Sequence, residues 1–285
     1  MASIADKTIV LIAGQPKAGT TSLFDWLAQH SEIGAGKVKE VRFFLDSDYP
    51  LQSPNRFDGV NFQDYLALFD NVDRPFILDA SPDYLGCDTP LLVPDIASSA
   101  KAIIIVREPV DRLKSAYRFY RSRGYIPQDF TFDQYIAVQH AEGVWPYTKS
   151  HMRALDHCRA GHYVARWREA YGDDLLVLDF PDLKDRPEET LAKVLRFIGL
   201  EPTDKIQLSH GNKTKNYASP KAYSVYSRLR RGFAQATLAM PIVYRMLRPV
   251  GRIFVKSLEV ERRVHKEVDA SEETIRIINL YSKAG

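Results

Sequence analysis

Short unbroken apolar runs alternate along this chain with segments in which apolar residues recur every three or four positions. Thr8-Ile-Val-Leu-Ile-Ala13 is the first run, and its β-branched content and the glycine that ends it predict a buried parallel strand. From Thr20 to His30 the apolar positions are Leu23, Trp26 and Leu27, the spacing of a helix with one buried face. Phe76–Asp79, Lys101–Val106 and Leu175–Asp179 repeat the strand pattern. Helices are predicted from Pro109 onward, with Leu113, Ala116 and Tyr117 on one face, over Gly161–Tyr171, and over Pro187–Ile198 with Gly199 as its stop. Tyr65, Leu66 and Phe69 suggest a short helix, Ser47–Phe62 reads as a surface loop, and Phe119–Tyr163 has no clear period. Lys221–Glu267 looks helical, basic and partly apolar, and Ser271-Glu-Glu-Thr has the pattern of a capped helix start.

Composition narrows the class. Hydrophobic residues make up 45% of the 285 positions and charged residues 26%, a globular balance that excludes wholesale disorder and allows one large α/β domain. A single domain over 1–285 is expected, with 221–268 a basic helical extension or insertion. Cys87 and Cys158 are too few for a disulfide scaffold and have no metal-binding spacing. His140, His151, His157 and His162 form no ligand pattern either, so no metal is expected. The N-terminus lacks the charged and apolar regions of a signal peptide, and Gly232–Tyr244 is too short to cross a bilayer. A cytoplasmic location, with contact to a membrane surface left open, is the expectation.

The net charge of +3 conceals an asymmetry, because 14 Lys/Arg face only three acids between Lys205 and Val268. That segment could serve a peripheral membrane or dimer contact, or be a solvated helix face. Nucleic acid is not an expected partner.

The chemistry centres on Gly14-Gln-Pro-Lys-Ala-Gly-Thr-Thr-Ser22, a glycine-rich turn between predicted strand and predicted helix. Such a turn directs free backbone N–H groups and the positive end of a helix dipole at one point, which favours a phosphate or sulfate ester. Gly14 and Gly19 keep the spacing of the nucleotide-binding pattern G-x-x-x-x-G-K-[ST], but Thr20 stands in the lysine's place and Lys17 lies inside the loop. An ordinary magnesium-dependent nucleoside triphosphatase would lack the ammonium that reaches its terminal phosphates. Farther on, Arg107 leaves the end of a strand with a planar fork suited to phosphate, and Ser115 follows two turns into the next helix.

These motifs resemble those of sulfotransferases that use 3′-phosphoadenosine-5′-phosphosulfate (PAPS). P-K-x-G-T-T-S-L resembles their phosphosulfate loop, which implies that Lys17, Ala18, Gly19, Thr20, Thr21 and Ser22 bind the donor. R-x-P-x-x-R-x-x-S-x-Y, from Arg107 to Tyr117, resembles the 3′-phosphate site, with Arg107 and Ser115 as its grip. K-E-x-x-F-F, containing Lys39 and Glu40, is similar to a segment of the glycan-type (heparan sulfate) and bacterial enzymes, which implies Glu40 as catalytic base beside Lys17. N-x-T-K resembles a late donor-covering loop, which brings in Lys213 and Lys215. Arg42 stands where the glycan enzymes usually carry histidine, and Ala80 replaces a lysine before Ser81. Lys39, Arg42, Ser81 and Tyr84 are candidate acceptor-site residues, although Ser81 and Tyr84 could equally just close their turn.

The resemblance implies a P-loop-like three-layer α/β fold with a mostly parallel sheet of about five strands and helices on both faces. It also implies transfer of a sulfuryl group from PAPS to a hydroxyl, or an amine, of a glycan, lipid or natural product. The product nucleotide would be 3′-phosphoadenosine-5′-phosphate (PAP), and no metal would be required. The family normally continues past the last predicted helix, which leaves open whether the C-terminus is truncated. A small-molecule kinase and a noncatalytic anion-binding module are the alternatives.

Overall fold

A computed structural model of the chain describes residues 4–141 apart from 52, 54, 61 and 128, then 153–208 apart from 204, and finally 216–217, 259–260 and 268–284. Five strands form one sheet: β1 (Thr8–Gly14), β2 (Ile33–Ala35), β3 (Phe76–Asp79), β4 (Ser99–Val106) and β5 (Leu175–Asp179). Their order is β2-β3-β1-β4-β5, and every pairing is parallel. β1 is central; the chain runs to one side through β2 and β3, then to the other through β4 and β5. Ligands of open α/β sheets gather at the carboxyl ends of the strands beside such a reversal.

Because both faces of the sheet are covered, the strands read as continuous apolar runs. Ile9, Leu11 and Ala13 of β1 face Phe44, Tyr65, Tyr84 and Trp167. Val10 and Ile12 face the opposite layer, where α1 (Thr20–Leu27) contributes Leu23, Trp26 and Leu27 and a later helix, Pro187–Ile198, contributes Val194 and Leu195. The indole of Trp167 and the hydroxyl of Tyr171, on the helix Ala160–Tyr171, donate to the carbonyls of Leu85 and Pro90 and pin that helix to the first face. A third cluster joins Leu113 and Tyr117, on the helix Pro109–Ser122, to Tyr135 and Ile136, on the helix Phe132–Ala141, and to Ile278, on the helix Glu272–Lys283.

The predicted strands appear with small changes of boundary, and Gly199 ends its helix in the left-handed region at φ 93°. The Ser271 hydroxyl accepts from the Thr274 N–H, as the capping pattern requires. Two elements escape the sequence pattern: β2 is only three residues long, and Phe132–Ala141 is helical within the stretch that lacked a period. The short helix expected near Tyr65 is present and covers Gln63–Leu66. Within the stretch that looks helical in the sequence, Glu259–Val260 instead pairs antiparallel with Asn216–Tyr217. The rest of 221–267 lies outside the described residues.

Candidate active site

The turn after β1 is tied to its neighbour strand before it reaches any ligand. The Gln15 N–H donates to the Ile105 carbonyl at 2.8 Å. The Gln15 side chain accepts from the Arg107 N–H at 3.0 Å and donates to the His157 carbonyl at 2.8 Å. Three separate segments therefore meet on one buried amide, a residue that carried no weight in the sequence reading. Gly19 caps α1 at φ 88°, where a side chain would be strained, and a Cβ there would sit 2.6 Å from Leu183. The N–H groups of Gly19, Thr20 and Thr21 begin the helix with no carbonyl one turn behind them, and the dipole adds positive potential at the same place.

Lys17 has left-handed backbone, φ 72°, and its ammonium lies 4.0 Å from the centre of the Phe119 ring. Burial first, then Arg123, Lys39 and Arg107, push its pKa down to about 8 against the opposing pull of Glu40. Ser115 lies one helical turn before Phe119, which turns its side of the helix toward this loop. Arg107 Nη1 donates to the Lys17 carbonyl at 3.0 Å, and its guanidinium stacks 4.4 Å from the Phe180 ring centre. The neighbouring Glu108 carboxylate is taken up elsewhere, capping the next helix on the N–H groups of Val110 and Asp111. The buried Nε atoms of Arg107 and Arg118 have no hydrogen-bond partner.

Opposite the loop, Lys39 Nζ reaches both the Thr20 hydroxyl, at 3.4 Å, and a Glu40 carboxylate oxygen, at 3.5 Å. Arg42 holds the other Glu40 oxygen at 2.5 Å. Burial alone would raise the Glu40 pKa; Lys39 and Arg42 outweigh it and hold the carboxyl below its ordinary value. Glu40 is thus an ionised acceptor of protons one lysine away from the amide turn. Phe43 and Phe44, directly behind it, are buried among Tyr65, Phe57 and Tyr84.

Of the residues the sequence singled out, the structure brings together Lys17, Gly19, Thr20, Arg107, Lys39, Glu40 and Arg42, with Thr21 and Ser22 on the first turn of α1. Ala18 is placed differently, since its N–H closes the turn on the Gln15 carbonyl and its methyl group packs in the core. Ser81 and Tyr84 are fully buried, with their hydroxyls held by Asp79 and by backbone N–H groups, so closing a turn describes them and lining an open site does not. Lys213 and Lys215 lie outside the described residues.

Two cavities flank the cluster without containing Lys17 or Glu40. One of about 430 Å³ is bordered by Val106, Arg107, Cys158, Asp179 and Asp182 at the end of β4 and β5. The other, about 510 Å³, is lined by Tyr49, Asp88, Arg153, Asp156 and Arg166. The Tyr49 hydroxyl donates to Asp83 at 2.7 Å, and Asp83 in turn helps hold the Arg42 charge, so this polar cavity adjoins the Glu40 side. The shared charges, not the cavity volumes, mark the site. Among the described residues no cluster could hold a metal ion, and no helix is long and apolar enough to cross a membrane.

Over 206 residues the chain is 26% identical to human bifunctional heparan sulfate N-deacetylase/N-sulfotransferase 2, and over 205 residues 26% identical to the type 1 protein of Xenopus tropicalis. Each match covers 67% of this chain and 22% of the relative, so this chain corresponds to a minor part of those proteins. The fold is similar to that of a sulfotransferase from Alicyclobacillus acidocaldarius, with a TM-score of 0.56 and 22% identity over 83% of this chain and 95% of the other. The family model described as the sulfotransferase domain matches residues 7–233, and with most of its length accounted for in this way the chain belongs to the sulfotransferase domain family.

Proposed function

We propose that this protein moves a sulfuryl group from PAPS to a hydroxyl or amino group of an acceptor, with Glu40 as general base and Lys17 as the cation at the transferring group. The observation that carries this reading is Lys39, whose ammonium bridges the Thr20 hydroxyl of the loop and the Glu40 carboxylate. It sets the base and the anion cradle one side chain apart, close enough for a donor and an acceptor to meet between them.

The residues fit the donor. Lys17 is surrounded by Arg123, Lys39 and Arg107, a crowding of like charges that a polyanion would relieve. Buried, unpartnered N–H groups on Arg107 and Arg118 lie in the same quarter of the fold. Lys17, the first-turn N–H groups and the Thr20, Thr21 and Ser22 hydroxyls would hold the 5′ end, while Arg107 and Ser115 would hold the 3′-phosphate, with Lys213 and Lys215 assigned to the same nucleotide. PAPS supplies a sulfuryl group on a phosphate leaving group. Glu40 would take the acceptor's proton, and Arg42 and Lys39 keep that carboxylate ionised beforehand.

The heparan sulfate relatives are named as N-deacetylase/N-sulfotransferases, which makes a glycan amine or hydroxyl the first acceptor to try. Small-molecule and lipid hydroxyls come second. Calorimetric titration with PAP and with Mg-ATP tests the donor. Tighter binding of PAP is expected, and a preference for Mg-ATP would overturn the reading in favour of a kinase. ³⁵S-labelled PAPS, offered with N-deacetylated heparosan, a phenol and a sterol, then tests transfer. Replacing the basic residues of 221–268 by glutamine, with the packed helix Glu272–Lys283 kept, should leave PAP affinity intact if that segment serves a location or a partner and not the donor.

A further inference from the structure

Asp79 ends β3 behind the Glu40 segment, fully buried, and its carboxylate accepts from three hydroxyls. Ser81 donates to Oδ1 at 2.7 Å, and Tyr84 and Tyr65 donate to Oδ2 at 2.8 and 3.3 Å. Each hydroxyl has one proton. Once Ser81 and Tyr84 have turned theirs toward Asp79, their lone pairs face the other way, and each accepts a backbone N–H, from Arg42 and from Phe44, both at 3.1 Å. Arg42 sits in the left-handed region at φ 59°, a conformation that a non-glycine residue keeps only when its surroundings impose it.

We propose that Asp79 is the positioning residue for Glu40: it orients the Ser81 and Tyr84 hydroxyls, which clamp the backbone at Arg42 and Phe44 and so set the direction in which Glu40 and its Arg42 partner leave the chain. This rests on Glu40 being the base. The clamp depends on an anion, because only an ionised carboxylate accepts from every hydroxyl at once. A protonated Asp79 becomes a donor at one oxygen, and the hydroxyl it meets loses its anchored acceptor, turns its own proton away and must accept from both the acid and the backbone N–H, which loosens the clamp.

The groups facing Asp79 are the hydroxyls of Ser81 and Tyr84 on its own turn, Tyr65 on the helix Gln63–Leu66, Tyr171 on the helix Ala160–Tyr171, and Lys39 on the Glu40 segment. Burial raises its pKa to about 7, with the three hydroxyls and Lys39 pulling the other way. Turnover should therefore fall as the pH drops through about 7, although Glu40, held below the ordinary carboxylate value, stays ionised there.

The test compares the wild type with Asp79→Asn. The readouts are PAP release from PAPS, with water or with whichever acceptor scores in the labelled screen, PAP affinity by calorimetry, and backbone amide exchange at Arg42 and Phe44. Turnover should drop by about 10-fold to 100-fold, the cost of a displaced reacting group. PAP affinity should hold, exchange at both amides should quicken, and the acid limb near pH 7 should vanish. Wild-type turnover and an intact acid limb in a folded Asp79→Asn protein would overturn the proposal, as would loss of PAP affinity in step with turnover. If that variant does not fold, Ser81→Ala and Tyr84→Phe open the two arms separately. Each must free its own amide, Arg42 or Phe44, and slow turnover; unchanged turnover in both overturns the clamp. Glu40→Gln is run alongside. Full turnover there withdraws Glu40 as base and the proposal with it, whereas lost turnover there with none lost in Asp79→Asn withdraws the positioning role alone.

Discussion

Arg107 and Lys17, 90 positions apart in the chain, share a 3.0 Å hydrogen bond between a guanidinium nitrogen and a backbone carbonyl. The bond joins the glycine-rich loop to the Arg107 segment, the two motifs proposed to hold the donor, at the carboxyl ends of neighbouring strands β1 and β4. It also fixes the carbonyl of a residue whose own backbone is in the left-handed region. Arg107 thus shapes the loop as well as supplying charge.

Replacing Arg107 by alanine should weaken PAP binding by at least about tenfold, the scale of a lost charge-assisted hydrogen bond. Arg107→Lys should recover only part of this, because an ammonium cannot reach the Lys17 carbonyl and a phosphate through one planar fork. Calorimetric titration of both variants decides the point; equal affinities for the lysine variant and the wild type would contradict it.

Lys17 provides a pH signature. With its pKa pushed down to about 8 by burial and by Arg123, Lys39 and Arg107, part of the free protein carries a neutral amine at that pH. An anion beside it favours the charged form, so PAP binding near pH 8 should take up protons, and affinity should fall as the pH rises through 8. Titrations in buffers of different ionisation enthalpy measure the uptake. Lys17→Ala should abolish it along with transfer, and equal uptake in wild type and variant would refute the assignment.

Asp79 predicts how stability varies with pH. Its folded pKa, about 7, lies above the ordinary 3.8, so the folded state holds the proton more tightly than the unfolded chain. That contribution is complete below 3.8 and is lost as pH rises to about 7, a slope of roughly 1.4 kcal/mol per pH unit at most. Urea unfolding of wild type and Asp79→Asn across this window should show the difference shifting steadily in favour of the variant as pH rises. A constant difference would mean that Asp79 titrates normally.

Gly19→Ala tests the turn itself. The left-handed backbone costs about 1–2 kcal/mol for a residue with a side chain, and the contact with Leu183 at 2.6 Å adds to it. A lower urea midpoint and weaker PAP binding are expected together, because the same backbone directs the first N–H groups of α1. An unchanged midpoint would show that the turn can relax without cost.

The glycine loop was legible because its chemistry lies within one short segment, where spacing alone places Gly14, Lys17 and Gly19. The strands were legible because both of their faces are buried, which leaves a continuous apolar run in the chain. β2 was not, since three residues containing Gly34 are too few to show a period. Gln15 and Asp79 were hidden for a different reason. Each is a single polar residue at the end of an apolar run. The partners of Gln15, Arg107 and His157, lie far along the chain. Although Ser81 and Tyr84 are close to Asp79 in sequence, only burial with Tyr65 and the Arg42 segment makes them its network.

Local pattern by itself determined the alternation of strand and helix, the glycine-rich turn and the identity of the charged side chains, because these follow from neighbours within a few residues. Only the tertiary structure decided that Lys39 joins Thr20 to Glu40, that Arg107 holds the Lys17 carbonyl, and that Ser81 and Tyr84 serve Asp79 and not an acceptor. Those relations depend on strand order and burial, and a hydroxyl has the same letter in the sequence whether it faces solvent or a buried carboxylate.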